Sequence, residues 1–195
     1  MTRPSEVTRI LKRAADGDTA ALESLLPMLY EELRALARRQ MAGEGAGATL
    51  QPTALVHEAW VRLMGDRAEP AQFEGRAHFF GAAARAMRRV LVEAARRRRA
   101  LKRGGGGGER ESLTPNVLAH DPVEGDELSV DSILDIDRAL TALAAKDARK
   151  AELVQLRYFG GMTVPEVAGM LGVSVGTAQR DWRLARAFLL RELTP

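Results

Sequence analysis

A group of polar and basic side chains near the C-terminus carries the chemistry needed to contact nucleic acid. The segment from Thr163 to Leu189 is typical of two helices joined by a turn. Thr163 and Glu166 have the spacing of a capping box, and Gly172 suits the turn. Amide and guanidinium groups pair with base edges and phosphates, and the second helix of a helix-turn-helix presents them to the major groove. The predicted DNA contacts of this segment are Ser174, Thr177, Gln179, Arg180, Arg183 and Arg186.

The spacing of this second helix assigns different tasks to its side chains. One apolar face, which we expect to be buried, consists of Ala178, Trp182, Ala185 and Leu189. The polar residues from Thr177 to Arg183 lie near the N-terminal end, where base edges are reached, whereas Arg186 is expected on a phosphate. An ordinary helical hairpin with a solvated charged face is the alternative interpretation.

A second basic segment lies earlier in the chain. From Arg85 to Arg103 there are eight arginines and one lysine against a single acid, Glu93, although the net charge of the whole chain is only +3. A helix over Arg76 to Arg99 would bury an apolar face and leave most of its arginines pointing outward. Each phosphate that these arginines neutralise adds affinity for nucleic acid, and this affinity depends on salt. The predicted contacts are Arg76, Arg85, Arg88, Arg89, Arg96 and Arg97.

Two aromatic residues of that helix, Phe79 and Phe80, are candidates for stacking on unpaired bases, and we expect at least one of them to be buried.

The chain has no motif that supports enzyme chemistry. His57-Glu58 lacks the second histidine of a zinc helix, since position 61 is Val61, and the glycine run after Arg103 lacks the Lys-Ser/Thr of a phosphate-binding loop. With no cysteine and no recognisable catalytic set, we predict neither a metal nor a cofactor.

The remaining periodicity predicts an all-α protein of two small helical domains. Pro27 is expected to kink the second helix or to mark a boundary. The flexible, glycine-rich and acidic linker 101–129 separates an N-terminal domain, 1–100, from a C-terminal domain, 130–195, that ends in the helix-turn-helix. Before that motif, helices are predicted over residues 7–16, 19–42, 52–64, 76–99, 130–145 and 148–159. The charged N-terminus and the lack of a long apolar run predict a cytoplasmic protein without membrane insertion.

In this order of parts, the chain resembles the extracytoplasmic-function (ECF) sigma factors of bacterial RNA polymerase. The resemblance lies in ALVHEAWVRLM (Ala54 to Met64), in GRAHFFGAAARAMRRVLVEAARRRR (Gly75 to Arg99), and in the helix-turn-helix that ends RDWRLARAFL. It implies that the first stretch docks on the clamp helices of the largest polymerase subunit. The second would capture and melt the −10 promoter element, and the last helix would read the −35 element.

The resemblance also names partners and sites. Core RNA polymerase and promoter DNA are the implied partners, and a regulator such as an anti-sigma factor is left open. The implied polymerase contacts are Leu55, His57, Glu58 and Arg62. Where the family commonly has Asp-Leu-Val-Gln-Glu, this chain has Ala-Leu-Val-His-Glu, which alters two polar docking positions. The alternative function is a conventional helix-turn-helix regulator with a sensory or dimerising N-terminal domain, which would show a ligand pocket or a self-complementary seam.

Overall fold

The regular structure is helical throughout the described part of the chain, which confirms the all-α prediction. A computed structural model describes residues 4–15, 18–41, 50–65, 73–103 and 130–194. Its helices, in chain order, are α1 (Pro4–Ala15), α2 (Thr19–Gln40), α3 (Pro52–Gly65), α4 (Arg76–Arg103), α5 (Val130–Lys146), α6 (Ala148–Val154), α7 (Val164–Met170) and α8 (Val175–Leu193), with a π-helical segment (Gln155–Phe159) directly after α6.

The first four helices form the N-terminal half, in which α4 contacts each of the other three. The core of this half is apolar, and its largest fully buried side chains are Leu11, Leu25, Leu29, Leu33, Leu55, Phe79, Met87 and Leu91. Asp18 caps α2 by accepting a hydrogen bond from the backbone N–H of Ala21. This core holds one face of α4 and sets the direction in which its arginines project.

Two helices differ from their predicted extents. α2 runs without a break through Pro27, and Leu25 and Leu29 on either side of it are buried. Pro27 has no N–H to donate to the carbonyl oxygen one turn earlier in the helix. Because Pro27 is exposed, water can reach that oxygen instead. α4 continues to Arg103 instead of ending at Arg99, because Ala100, Leu101 and the two basic residues after them favour a helix and no stop signal precedes Gly104. α4 is thus longer than predicted, whereas α2 is continuous but ends at Gln40, two residues before its predicted end.

The last four helices form the C-terminal half, in which α8 contacts α5, α6 and α7. Asp147 caps α6 by accepting the backbone N–H of Lys150. The predicted single helix over residues 148–159 instead widens into the π-helical segment, within which Leu156 and Phe159 are buried. Local widening of this kind changes the direction of the side chains that follow it.

The two halves pack against each other along α4, which contacts α5 and the π-helical segment. One continuous group of buried apolar residues extends through both halves. Most of the predicted linker, residues 104–129, lies outside the described residues, and the division into two domains stays a prediction. None of the described helices is both long and apolar enough to cross a membrane.

Candidate nucleic-acid interface

The helix pair α7–α8 has the local geometry that the sequence predicts. The Thr163 hydroxyl accepts the backbone N–H of Glu166, whose carboxylate in turn accepts the backbone N–H of Thr163 at 2.7 Å, so the capping box is complete. Gly172 turns the chain with φ of +63°, a conformation that favours glycine. Ser174 caps α8 by accepting the backbone N–H of Thr177 at 3.1 Å. These contacts determine where α8 begins.

The buried and exposed faces of α8 are those expected from its spacing. Ala178, Trp182, Ala185 and Leu189 are buried, which confirms the predicted apolar face. Gln179, Arg180 and Arg183 are exposed, and Thr177 and Arg186 are half-buried. Within the described part of the chain, neither Arg180 nor Arg183 forms an ion pair. An open polar face therefore begins within the first turns of α8.

A buried acid behind this face was not anticipated from the sequence. Asp181 is buried, and its carboxylate lies 2.9 Å from the guanidinium of Arg149 and 3.6 Å from the ammonium of Lys150. Lys150 also pairs with Asp147, and its hydrogen bond holds the pKa of Asp147 below its usual value while raising the pKa of Lys150. This cluster joins the start of α6 to the middle of α8. An acid next to Trp182 and between two arginines of the sequence was the available signal.

Only some arginines of α4 are placed as predicted. Arg96 is exposed, as expected, whereas Arg85 and Arg88 are partly buried. Each of the three forms an ion pair with a carboxylate of the C-terminal half. Arg85 pairs with Glu152 of α6, and both Arg88 and Arg96 pair with Asp137 of α5. The reason is tertiary: α5 and α6 bring acids opposite a helix whose own acid, Glu93, pairs with Arg62 of α3.

Arg88 is the most enclosed of these three side chains. Its side chain is only 13% exposed, its guanidinium donates to the Gln155 side-chain oxygen at 3.0 Å, and it lies over the Phe159 ring. Burial lowers the pKa of Arg88 from its usual value, and the carboxylate of Asp137 acts in the opposite direction. Because an arginine stays ionised at any physiological pH, this position holds a charge that is largely removed from water.

The remaining predicted contacts of α4 are spread along the helix. Arg76 pairs with Glu32 and lies over the Phe80 ring, whereas Arg89 and Arg97 are exposed and have no ion pair among the described residues. Of the two aromatic residues, Phe79 is fully buried, which confirms that at least one would be. Phe80 is half-buried, so of the two rings only that of Phe80 is partly accessible.

Comparison with known proteins decides the family. The ECF sigma factor family matches the chain over residues 4–195, which includes both basic helices and the α7–α8 pair. The chain belongs to the ECF sigma factor family. No curated protein and no solved structure gives a significant match. ECF sigma factors are transcription initiation factors, not enzymes, and they act with core RNA polymerase and promoter DNA.

In this sigma factor, α3 is the helix that carries the predicted polymerase contacts. His57 is exposed and Glu58 half-buried, while Arg62 donates to Glu93 of α4 at 2.7 Å. Leu55, in contrast, is 0% exposed, so it is a core residue and its predicted place on the docking surface is wrong in this structure. The sequence analysis missed Val61, an apolar residue that is 65% exposed one helical turn after His57. Unusual exposure of a β-branched residue could not be read from spacing alone.

Two surface features bear on the alternative functions. A cavity of about 590 Å³ lies between α2, α4 and the loop before α7, and its lining includes Arg39, Arg76 and Phe80. It is shared by both halves, and so is a cavity of about 1000 Å³ between α4 and α5. A cavity of about 260 Å³ is lined by N-terminal residues alone, which is below the usual size of a ligand pocket. Within the described residues, no three His, Asp or Glu side chains gather closely enough to hold a metal ion. The match over the N-terminal half also favours the sigma factor over a conventional regulator.

Proposed function

We propose that this ECF sigma factor docks on core RNA polymerase through α3 and contacts two promoter elements with two helices, α4 at the −10 element and α8 at the −35 element. The observation that carries the proposal is the open face of α8, where Gln179, Arg180 and Arg183 are exposed above a buried apolar face. A helix supported in this way keeps its reading side chains at one orientation as it enters the major groove.

The support for base recognition lies in the first turns of α8. Gln179 has the amide that pairs with adenine, and Arg180 and Arg183 have the guanidinium that pairs with guanine. Thr177 lies with these residues near the end that reaches base edges. Ser174 is at the N-terminus of the helix, where hydroxyl and backbone N–H groups bind phosphate. Arg186 lies farther along and is assigned to the DNA backbone.

The support for −10 contacts is the density of arginines along α4. Arg89 and Arg97 are exposed for phosphate contact in this structure. Arg85, Arg88 and Arg96 already bind anionic oxygens, those of carboxylates, so phosphates are chemically suitable partners for the same guanidinium groups. Arg76 and Phe80 extend this surface at the start of the helix, where the ring can stack on an unpaired base.

The proposed docking surface on α3 consists of His57, Glu58, Val61 and Arg62, and we place the clamp helices of the largest polymerase subunit against it. Val61 gives this surface an apolar centre, and the charged residues beside it give orientation. Domains 1–100 and 130–195 would then bind DNA as separate units, so that two weak contacts add through effective concentration.

Reconstitution tests the proposal directly. The purified chain should form a one-to-one complex with core polymerase and should direct transcription from a subset of fragments in a genomic library. Failure to bind core, or equal transcription from all fragments, would contradict it.

The docking surface is tested with charge reversals. Glu58→Lys should weaken binding to core polymerase while lowering the free energy of unfolding by no more than about 1 kcal/mol, because Glu58 is only half-buried and has no ion pair among the described residues. Glu23→Lys, an exposed reversal on α2, is the control and should bind core as the parent does. Arg62→Glu is less informative because it also places two acids together across α3 and α4. Unchanged binding by Glu58→Lys would place the docking surface elsewhere.

A further inference from the structure

Arg149, near the start of α6, is a basic residue to which the sequence analysis assigned no contact. Its guanidinium lies 2.9 Å from the carboxylate of Asp181 in α8. The Asp181 side chain is only 7% exposed, whereas the Arg149 side chain is 47% exposed. One part of the guanidinium therefore faces a buried carboxylate, and about half of the arginine side chain stays in contact with solvent beside α8.

The position of Asp181 on α8 places Arg149 at one border of the exposed face. Successive residues of an α-helix are rotated by about 100°, so Asp181 and Arg186 lie about 140° apart around the helix axis. The arc of about 140° between them contains the buried residues Ala178, Trp182, Ala185 and Leu189. The wider arc on the opposite side contains the exposed residues Gln179, Arg180 and Arg183. Asp181 and Arg186 thus mark the two borders of the exposed face.

A helix that enters the major groove has a phosphate backbone on each side of it. Arg186, at one border of the exposed face, is already assigned to one of these backbones. Arg149 lies at the other border, where α8 itself has the acid Asp181 and no basic residue of its own. A guanidinium has five N–H donors, so Arg149 can pair with Asp181 and bind a phosphate at the same time.

We infer that Arg149 binds a phosphate of the −35 element on the side of α8 opposite to Arg186, and that Asp181 positions it there. The inference rests on the proposed function for the entry of α8 into the major groove. Two helices of the C-terminal half, α6 and α8, then hold the two backbones that border the groove. Because a phosphate contact does not distinguish bases, Arg149 adds affinity and orientation without sequence preference.

Asp181 is suited to position Arg149 because its carboxylate is fixed on more than one side. It also lies 3.6 Å from the ammonium of Lys150, which in turn pairs with Asp147, the residue that caps α6. The start of α6 is thereby held against the middle of α8. An arginine that is already held by a carboxylate loses less conformational freedom when it binds a phosphate than one that moves freely in solvent.

The first experiment measures the phosphate contact in the full-length chain. Binding is followed over a salt series with a short DNA duplex that the parent has selected from a randomised pool, and with a shuffled version of that duplex. Arg149→Ala should weaken binding to both duplexes by the same factor, about fivefold to tenfold near 0.1 M salt, and should reduce the slope of log affinity against log salt by about 0.9, the value for one phosphate of duplex DNA. A residue that only stabilises the fold would leave this slope unchanged.

The matched control for this variant is Arg138→Ala. It removes the same charge from an exposed arginine of α5, which pairs within its own helix and lines the cavity between α4 and α5. Its affinity should match that of the parent within about twofold, with an unchanged slope. Arg149→Lys keeps the charge and should keep most of the slope.

Asp181→Asn tests the positioning role, because charge alone predicts the opposite result. Loss of an acid makes the chain more positive, which by itself should tighten DNA binding. If Asp181 positions Arg149, the variant should instead bind about threefold more weakly and with a smaller slope. Combined with Arg149→Ala, it should cause no further loss, since it acts through Arg149. Asp135→Asn, which removes an acid that pairs within α5, is the control and should not weaken binding.

Urea unfolding establishes that each variant is folded under the binding conditions, and the Arg149 variants decide the phosphate contact even if Asp181→Asn does not fold. If Arg149→Ala keeps the parent affinity and slope, or changes them no more than Arg138→Ala does, the inference is overturned while a parent that prefers its selected duplex upholds the proposed function. If Arg149→Ala reduces the slope but the parent binds selected and shuffled duplexes equally, the phosphate contact stands and the reading of the −35 element falls. Tighter binding by Asp181→Asn would overturn the positioning role.

Discussion

The two basic helices of this sigma factor carry similar side chains but differ in what those side chains meet. On α4, Arg85, Arg88 and Arg96 are engaged by acids of the other half. On α8, Arg180 and Arg183 are exposed and have no ion pair in the described part of the chain. A run of arginines therefore shows the capacity to bind anions. Which anions it binds depends on where the nearest carboxylates are placed.

The acids account for the difference. The buried acid of α8, Asp181, faces Arg149 and Lys150 and so acts as an internal anchor. Two acids of the C-terminal half, Asp137 of α5 and Glu152 of α6, lie on the surface that meets α4. In α8 the buried carboxylate lies behind the basic face, and in α4 the carboxylates of the other half pair with three arginines of the face itself.

The largest expected effect concerns the support of the open face. Trp182, with 6% of its surface exposed, packs under the face of α8, and Trp182→Ala should lower the free energy of unfolding by about 3–5 kcal/mol. The control is Leu184→Ala on the same helix, where the side chain is 54% exposed and the loss should stay below about 1 kcal/mol. Urea unfolding followed by circular dichroism measures both. Equal losses would show that the tryptophan does not support α8.

The next effect concerns the face itself. Gln179→Ala and Arg183→Ala should each lose about 1–3 kcal/mol of discrimination at particular −35 base pairs, since each good pair with a base edge contributes that much. Arg186→Ala should weaken all sequences about equally because it removes a phosphate contact. Selection of bound duplexes from a randomised −35 library provides the measurement. An identical preferred sequence for the parent and both reader variants would contradict the assignment.

A smaller effect compares neighbours on α4. In binding to a dT30 DNA single strand, Arg89→Ala should reduce the slope of log affinity against log salt by about 0.7, the value for one phosphate. It should leave the separation of the halves unchanged. Arg88→Ala should increase that separation as well, because it removes a partner of Asp137. Because the chain has no cysteine, dyes on Glu23→Cys and Ala144→Cys, one on each half, report that separation by resonance energy transfer. The contrast between the two arginines fails if both change the transfer equally.

The smallest expected effect concerns Asp147, the acid that caps α6. The folded pKa of Asp147 lies below its usual value because Lys150 donates to it, so the stabilisation is present above the unfolded pKa and is lost as the pH falls through the folded one. Asp147→Asn keeps an N-cap but does not titrate. The parent should therefore be more stable than the variant at pH 5, and the difference should shrink toward pH 2. A constant difference in the urea midpoint would show that the charge of Asp147 is irrelevant.

The sequence by itself determined the helices and the local geometry of α7–α8. The capping box of Thr163, the turn at Gly172 and the buried face around Trp182 depend on residues within a few positions of one another, so they can be read in order along the chain. Helix ends were less certain, as Arg103 shows, because good helix formers continued past the predicted end. The family, too, followed from local motifs.

Only the tertiary structure decided which charges are paired and which apolar residues are exposed. Arg88 and Asp137 are 49 residues apart, with the segment 104–129 between them, and no local rule relates their orientations. Likewise, the burial of Leu55 and the exposure of Val61 depend on how α3 packs, since helical spacing says which residues share a face but not which face meets a neighbour. Pairing and exposure are properties of packed helices, and packing joins residues that the sequence keeps far apart.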